Sequence, residues 1–156
     1  EIQAVKTAKI EEVKKNSKKG FTLVEIVVVI AILAILAAIA IPVVSSTIAS
    51  SQRSTALSDA QTLELALKEA HAQIVAKDTS VYADTATVND VITEKSLQSI
   101  HVGDTRTIGG DTYTLSWCAA DDKCYWMNGT TNLDTSITPG GTTVAIATGD
   151  VVSTLF

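Results

Sequence analysis

The stretch NSKKGFTLVEIVVVIAILAILAAIAIPVV, residues 16–44, decides the reading of this 156-residue chain. From Phe21 to Ile41 only Thr22 and Glu25 interrupt 21 residues of apolar sequence. A helix rises about 1.5 Å per residue, so such a run spans a hydrocarbon core of about 30 Å. Lys18 and Lys19 stand directly before it, with Lys14 and Lys15 a little further back. Lysines at the edge of a span mark its cytoplasmic side, which puts the N-terminal residues inside and those after Ile41 outside.

Charge follows the same division. Residues 1–20 carry six lysines and three glutamates, a formal +3, whereas the rest carries six basic and fourteen acidic side chains, a formal −8. General nucleic-acid binding needs a basic footprint, and the acidic remainder argues against it.

Two plain readings of the apolar run fall short. A secretory signal peptide has an apolar region of about 7–15 residues and a small-residue cleavage site. Ala38-Ile39-Ala40 imitates that site, but the run is longer and contains Glu25. A single-pass anchor fits length and orientation and leaves Glu25 unexplained. A lone acid near the start of a span is costly, so it points to a function and to a partner.

The segment KKGFTLVEIVVVIAILAILAAIAIP resembles the N-terminus of type IV pilins and of the related pseudopilins of type II secretion. The resemblance covers roughly residues 17 to 45 and is specific, because glycine, aromatic and acid fall at fixed offsets in one apolar helix. It implies that residues 1–20 are a cytoplasmic leader ending at Gly20, removed by a membrane aspartyl peptidase. Phe21 would then be the first mature residue, N-methylated, with Glu25 the signature acid and Pro42 the proline that follows the apolar stretch. The implied partners are the prepilin peptidase and methyltransferase, the pilus assembly machinery, the membrane, and further copies of the chain in a helical homopolymer. No cofactor is implied. The subunit would be a single-pass membrane protein before assembly and part of an extracellular pilus after it. The alternatives are a pseudopilin of a type II secretion or DNA-uptake machine, or a membrane-anchored ligand-binding module that keeps its leader.

Within that resemblance Glu25 acquires a physical role. Cleavage after Gly20 creates a cationic amine on Phe21, one helical turn from Glu25. When subunits pack side by side, the Glu25 carboxylate can meet a neighbour's amine, offsetting the desolvation each charge suffers alone. Such a pair also sets axial register, a known use of buried polar groups between helices. In the free membrane subunit the alternative is a local link from Glu25 to its own N-terminus or to Thr22.

After Pro42, which removes a backbone donor and bends or loosens a helix, the helical pattern continues. Ala56, Ala60, Leu63, Leu67, Ala70 and Ile74 recur at alternating steps of four and three, one stripe of a helix. Gln52, Arg53, Asp59, Glu69 and Lys77 read as the opposite, water-facing side. A helix from Phe21 to about Lys77 is expected, about 85 Å long, apolar all round over 21–44 and amphipathic over 45–77.

From Asp78 the period stops, and 78–156 reads as a globular head. A short helix is expected near Val88–Leu97, capped by Thr87 or Asn89. RTIGGDTYTLSWC (106–118) predicts a hairpin turning at Gly109-Gly110-Asp111, with Tyr113, Leu115 and Trp117 alternating toward one face. CYWMNGTT (124–131) predicts a strand ending at Asn128-Gly129, TTVAIAT (142–148) a third, and VVSTLF (151–156) an edge strand. Antiparallel strands across the helix stripe make an α+β head, as in the type IV pilin fold.

Cys118 and Cys124 are separated by AADDK. Outside the cytoplasm paired cysteines favour a disulfide, and the spacing suits adjacent strand ends; metal ligation is the alternative, with neither histidine nearby. His71 and His101 sit in no nucleophile or metal spacing, so no catalytic residues are assigned and no enzyme activity is expected. Asp121-Asp122, Asp111, Asp134 and Asp150 read as solvated loop charges, with a calcium site of the pseudopilin kind as the alternative. Asn128-Gly129-Thr130 matches a glycosylation sequon, although a hairpin turn explains it without modification.

Overall fold

The computed structural model describes residues 2–3 and 20–156. The chain divides into two compact units, Glu1–Val43 and Val44–Phe156. Helix α1, Leu23–Val75, runs without interruption through Pro42. Its C-terminus closes by backbone geometry. Lys77 takes a left-handed conformation at φ 55°, its N–H bonds to the Ile74 carbonyl, and the Asp78 N–H reaches back to Gln73. That is a Schellman closure, which satisfies the last free carbonyls of a helix. In the first unit the apolar side chains of α1 stand in the open, for instance Leu23 at 79% and Ile30 at 56% exposure.

The second unit owns the hydrophobic core. Ala56, Ala60, Leu63, Leu67, Ala70 and Ile74 are all buried, as the stripe predicts, together with Ala66. The expected water-facing side is divided. Arg53 donates to the Leu133 carbonyl, Arg106 Nη1 meets Asp59 Oδ2 at 2.7 Å, and Lys95 Nζ meets Glu69 Oε1 at 2.7 Å. Arg53, Asp59 and Glu69 flank the stripe, and long side chains at flanking positions reach what the stripe packs against. Periodicity alone assigns such positions to water.

Helix α2, Val88–Glu94, is shorter than expected and starts at Thr87. Thr87 Oγ1 accepts the Asp90 N–H, and Asp90 Oδ2 accepts the Thr87 N–H at 2.7 Å, a reciprocal capping box. Val88, Val91 and Ile92 are its buried side.

Among the described residues five strands form one antiparallel sheet: β1 Thr105–Ile108, β2 Asp111–Cys118, β3 Lys123–Asn128, β4 Thr131–Asn132 and β5 Thr143–Ala145. The first hairpin turns at Gly109-Gly110, with Ile108 opposite Asp111. Both glycines have positive φ, 62° and 98°, as the tight turns matching strand twist require. Strand β2 pairs with β3 along one edge; the other edge is shared by β1, opposite Asp111–Thr114, and β5, opposite Ser116–Cys118. Leu115 and Trp117 enter the main core with Tyr113 packed against it. The back face is covered as well: Cys118, Tyr125 and Met127 form a second, small cluster.

The last segment is not the expected edge strand. Val152–Thr154 is a single 3₁₀ turn, and Val151 makes only an isolated bridge to Thr87. Three residues per turn place Val152 and Leu155 on one side, and both are buried. Phe156 then stacks on His71 at 4.0 Å between ring centroids and lies 4.6 Å from Trp117.

Candidate processing and assembly site

Gly20, Phe21 and Thr22 precede the helix in non-helical backbone. Thr22 is the N-cap. Its carbonyl accepts the N–H groups of Glu25, at 3.1 Å, and Ile26, at 3.3 Å. Its Oγ1 also accepts the Glu25 N–H at 3.2 Å. An N-cap side chain satisfies one of the donors that every helix start leaves free. A Cβ built on Gly20 meets nothing within 4 Å, so no neighbour among the described residues requires glycine there.

Phe21 is 80% exposed. The Glu25 side chain is exposed as well, and among the described residues its carboxylate makes no ion pair. The Thr22–Glu25 contact uses the backbone N–H of Glu25 and leaves its carboxylate uncommitted. Pro42 lies inside α1 and does not end it. Leader residues Lys14, Lys15, Lys18 and Lys19 lie outside the described residues.

The head gathers no catalytic constellation from the residues singled out by sequence. His71 is occupied by its stack on Phe156. His101 Nδ1 lies 3.9 Å from Asp104, with both side chains about three-quarters exposed. Among the described residues no group of three His, Cys, Asp or Glu side chains is placed to hold a metal ion. Asn128 ends β3 beside Gly129, exposed at a tight turn.

The structure does not join Cys118 and Cys124 in the expected bridge. Both are buried free thiols. The strand register places Trp117 opposite Cys124 and Cys118 opposite Lys123. Side chains alternate between faces along a strand, so one step of register separates the two cysteines. Cys124 belongs to the main core, and Cys118 to the cluster on the back. Burial pushes the Cys124 thiol far above the ordinary thiol range, with the nearby Glu64 carboxylate adding to the effect.

Several acids read as solvated charges instead hold loops. Asp121 Oδ2 accepts the Gly140 N–H at 2.6 Å and the Tyr125 hydroxyl at 3.0 Å. The Gly140 bond is the chief reason its carboxyl sits below the usual range. Burial is the main cause that pushes the Tyr125 phenol up to about 12. Asp134 Oδ1 accepts from both the Ser136 N–H and its hydroxyl, as Asp78 Oδ1 does from Ser80. These two Asx turns share the sequence Asp-Thr-Ser, at 78–80 and 134–136, a legible signal. Asp150 Oδ2 accepts the Ala147 N–H at 2.8 Å.

No curated protein and no solved structure matches the chain. A family model does match residues 15–41: the prokaryotic N-terminal methylation motif. It spans Gly20, Phe21, Thr22 and Glu25 and nearly all of the exposed apolar run. The α+β arrangement, a long N-terminal helix whose second half packs on a small antiparallel sheet, is consistent with the pilin fold. The apolar helix and its leader fit a membrane-anchored prepilin, a structural kind of protein processed by a prepilin peptidase. Residues 15–41 therefore carry the prokaryotic N-terminal methylation motif, the kind of segment that follows the class III leader of type IV pilins and pseudopilins.

Proposed function

We propose that this chain is the precursor of a filament subunit, a type IV pilin cleaved after Gly20, methylated on the new Phe21 amine, and polymerised through residues 21–44 into an extracellular pilus. The observation that carries this reading is a coincidence in one segment. The methylation motif falls on the stretch 21–44, where the large apolar side chains are all substantially exposed, from Phe21 at 80% to Val44 at 52%. Such a surface needs lipid or copies of itself, and a filament subunit uses each in turn. The uncommitted Glu25 carboxylate favours assembly over permanent anchoring, because a lone acid in lipid gains by meeting a cationic amine.

Mass spectrometry of the native N-terminus tests the processing. A mature chain beginning at N-methyl-Phe21 is expected, and an intact leader in cells that possess the peptidase would overturn the reading. Assembly is tested by Glu25→Ala, which should insert normally and still be cut. Fibre yield after shearing should collapse, because an incoming amine without its counter-charge costs about 3–5 kcal/mol at each addition. Normal fibre numbers would sink the charge-pair role. Labelled chain found in long surface fibres supports a pilus, and its confinement to the cell envelope supports a pseudopilus.

A further inference from the structure

The cap at Thr22 lies one residue beyond the bond that the proposed processing breaks. We propose that Thr22 is a positioning residue for cleavage: by fixing the first helical residue at Leu23, it holds the Gly20–Phe21 bond in non-helical backbone, where a peptidase can reach it. The inference rests on the reading that cleavage follows Gly20.

In the structure the first carbonyl taken into the helix is that of Thr22, which accepts from Ile26. Were the helix to begin two residues earlier, the Gly20 carbonyl would accept the Val24 N–H by the same i to i+4 rule. That carbonyl carbon is where hydrolysis acts. Water adds there, the C–N bond to Phe21 breaks, the proton released by the water goes to the leaving nitrogen, and Gly20 carboxylate and Phe21 amine remain. A carbonyl locked in a helical hydrogen bond is turned along the helix axis and is a poor substrate for that addition.

Among the described residues no packing contact fixes where the helix starts: a Cβ on Gly20 would meet nothing within 4 Å, and Leu23, Val24, Ile26 and Val27 are simple apolar residues on the helical side. Glycine at position 20 disfavours helix by propensity, and Thr22 adds the hydrogen-bonded stop. Thr22 supplies the stop signal through two acceptors, carbonyl and Oγ1, both engaged with the Glu25 N–H. Thr22-Leu-Val-Glu25 has the spacing of a capping box, and Phe21 and Ile26 occupy the positions of the accompanying hydrophobic staple. The residues of the processing signature thus also form a helix-start signature.

The test follows cleavage of the full chain in membranes containing the prepilin peptidase, comparing wild type with Thr22→Val, Thr22→Ser and Thr22→Asn. Valine matches threonine in shape without an acceptor, while serine and asparagine restore a cap. Thr22→Val should be cut about fivefold more slowly, the factor by which losing one side-chain cap shifts the helix start. Serine and asparagine should restore the wild-type rate, with equal amounts of inserted precursor throughout. Backbone chemical shifts in detergent should show helix extending to Gly20 only in the valine variant. Equal rates for wild type and Thr22→Val would overturn the proposal alone, and so would serine and asparagine variants as slow as valine. A wild-type chain left uncut would overturn the proposal together with the processing on which it rests.

Discussion

Asp121 ties together two segments that sequence separates by 19 positions, the β2–β3 turn and the loop before β5. A Cβ at Gly140 would lie 2.2 Å from Asp121 Oδ1, so glycine there allows the approach. The carboxyl is held below its ordinary value by the Gly140 N–H, so the clamp belongs to the ionised form. A depressed folded value places the stabilisation above the unfolded carboxyl value of about 4, with loss as pH falls through the lower folded value. The protection of the Gly140 amide, relative to its intrinsic exchange rate at each pH, should therefore be high near neutrality and fall below about pH 4. In Asp121→Asn it should be low at neutral pH and lack that acid step. A step unchanged by the substitution would assign the titration to another carboxyl.

At the scale of elements, the strand register and the helix stripe each carry a test. One register step puts Cys118 and Cys124 on opposite faces of the sheet. Protein unfolded under non-reducing conditions should accordingly take up two equivalents of thiol reagent per chain, whereas uptake of none would mean a bridge and a different register. On the stripe, Leu67 is completely buried. Leu67→Ala should lower stability by about 2–5 kcal/mol, read from the denaturant midpoint, because the cavity left behind adds to the lost transfer energy. Trp126 fastens the same helix by another route, its indole N–H donating to the Ala56 carbonyl at 2.7 Å.

For the molecule as a whole, the division into two units separates folding from assembly. The main core cluster begins at Ala56 and ends at Leu155, all within Val44–Phe156. The apolar part of α1 supplies none of it. A fragment 44–156 should therefore fold alone, with a cooperative thermal transition and well-dispersed amide resonances. A molten fragment would mean that residues 20–43 contribute to the core. The same division explains why Glu25→Ala is expected to abolish fibres while leaving the head's melting unchanged.

Much of this was legible in sequence because it is local. The apolar run, the three-four stripe and the Gly-Gly hairpin all act within a few residues, where period and backbone preference decide the outcome. Tertiary structure alone decided the rest. Whether two cysteines six positions apart meet depends on a one-residue register, which the packing of Leu115, Trp117 and Trp126 against α1 selects. Asp59 and Glu69 became partners of Arg106 and Lys95 because the fold brought distant segments beside the stripe. The final residues became a buried turn rather than a strand because Val152, Leu155 and Phe156 found space against the core. Sequence determined the elements through short-range chemistry, and structure determined their pairings because contacts across the fold depend on how those elements pack.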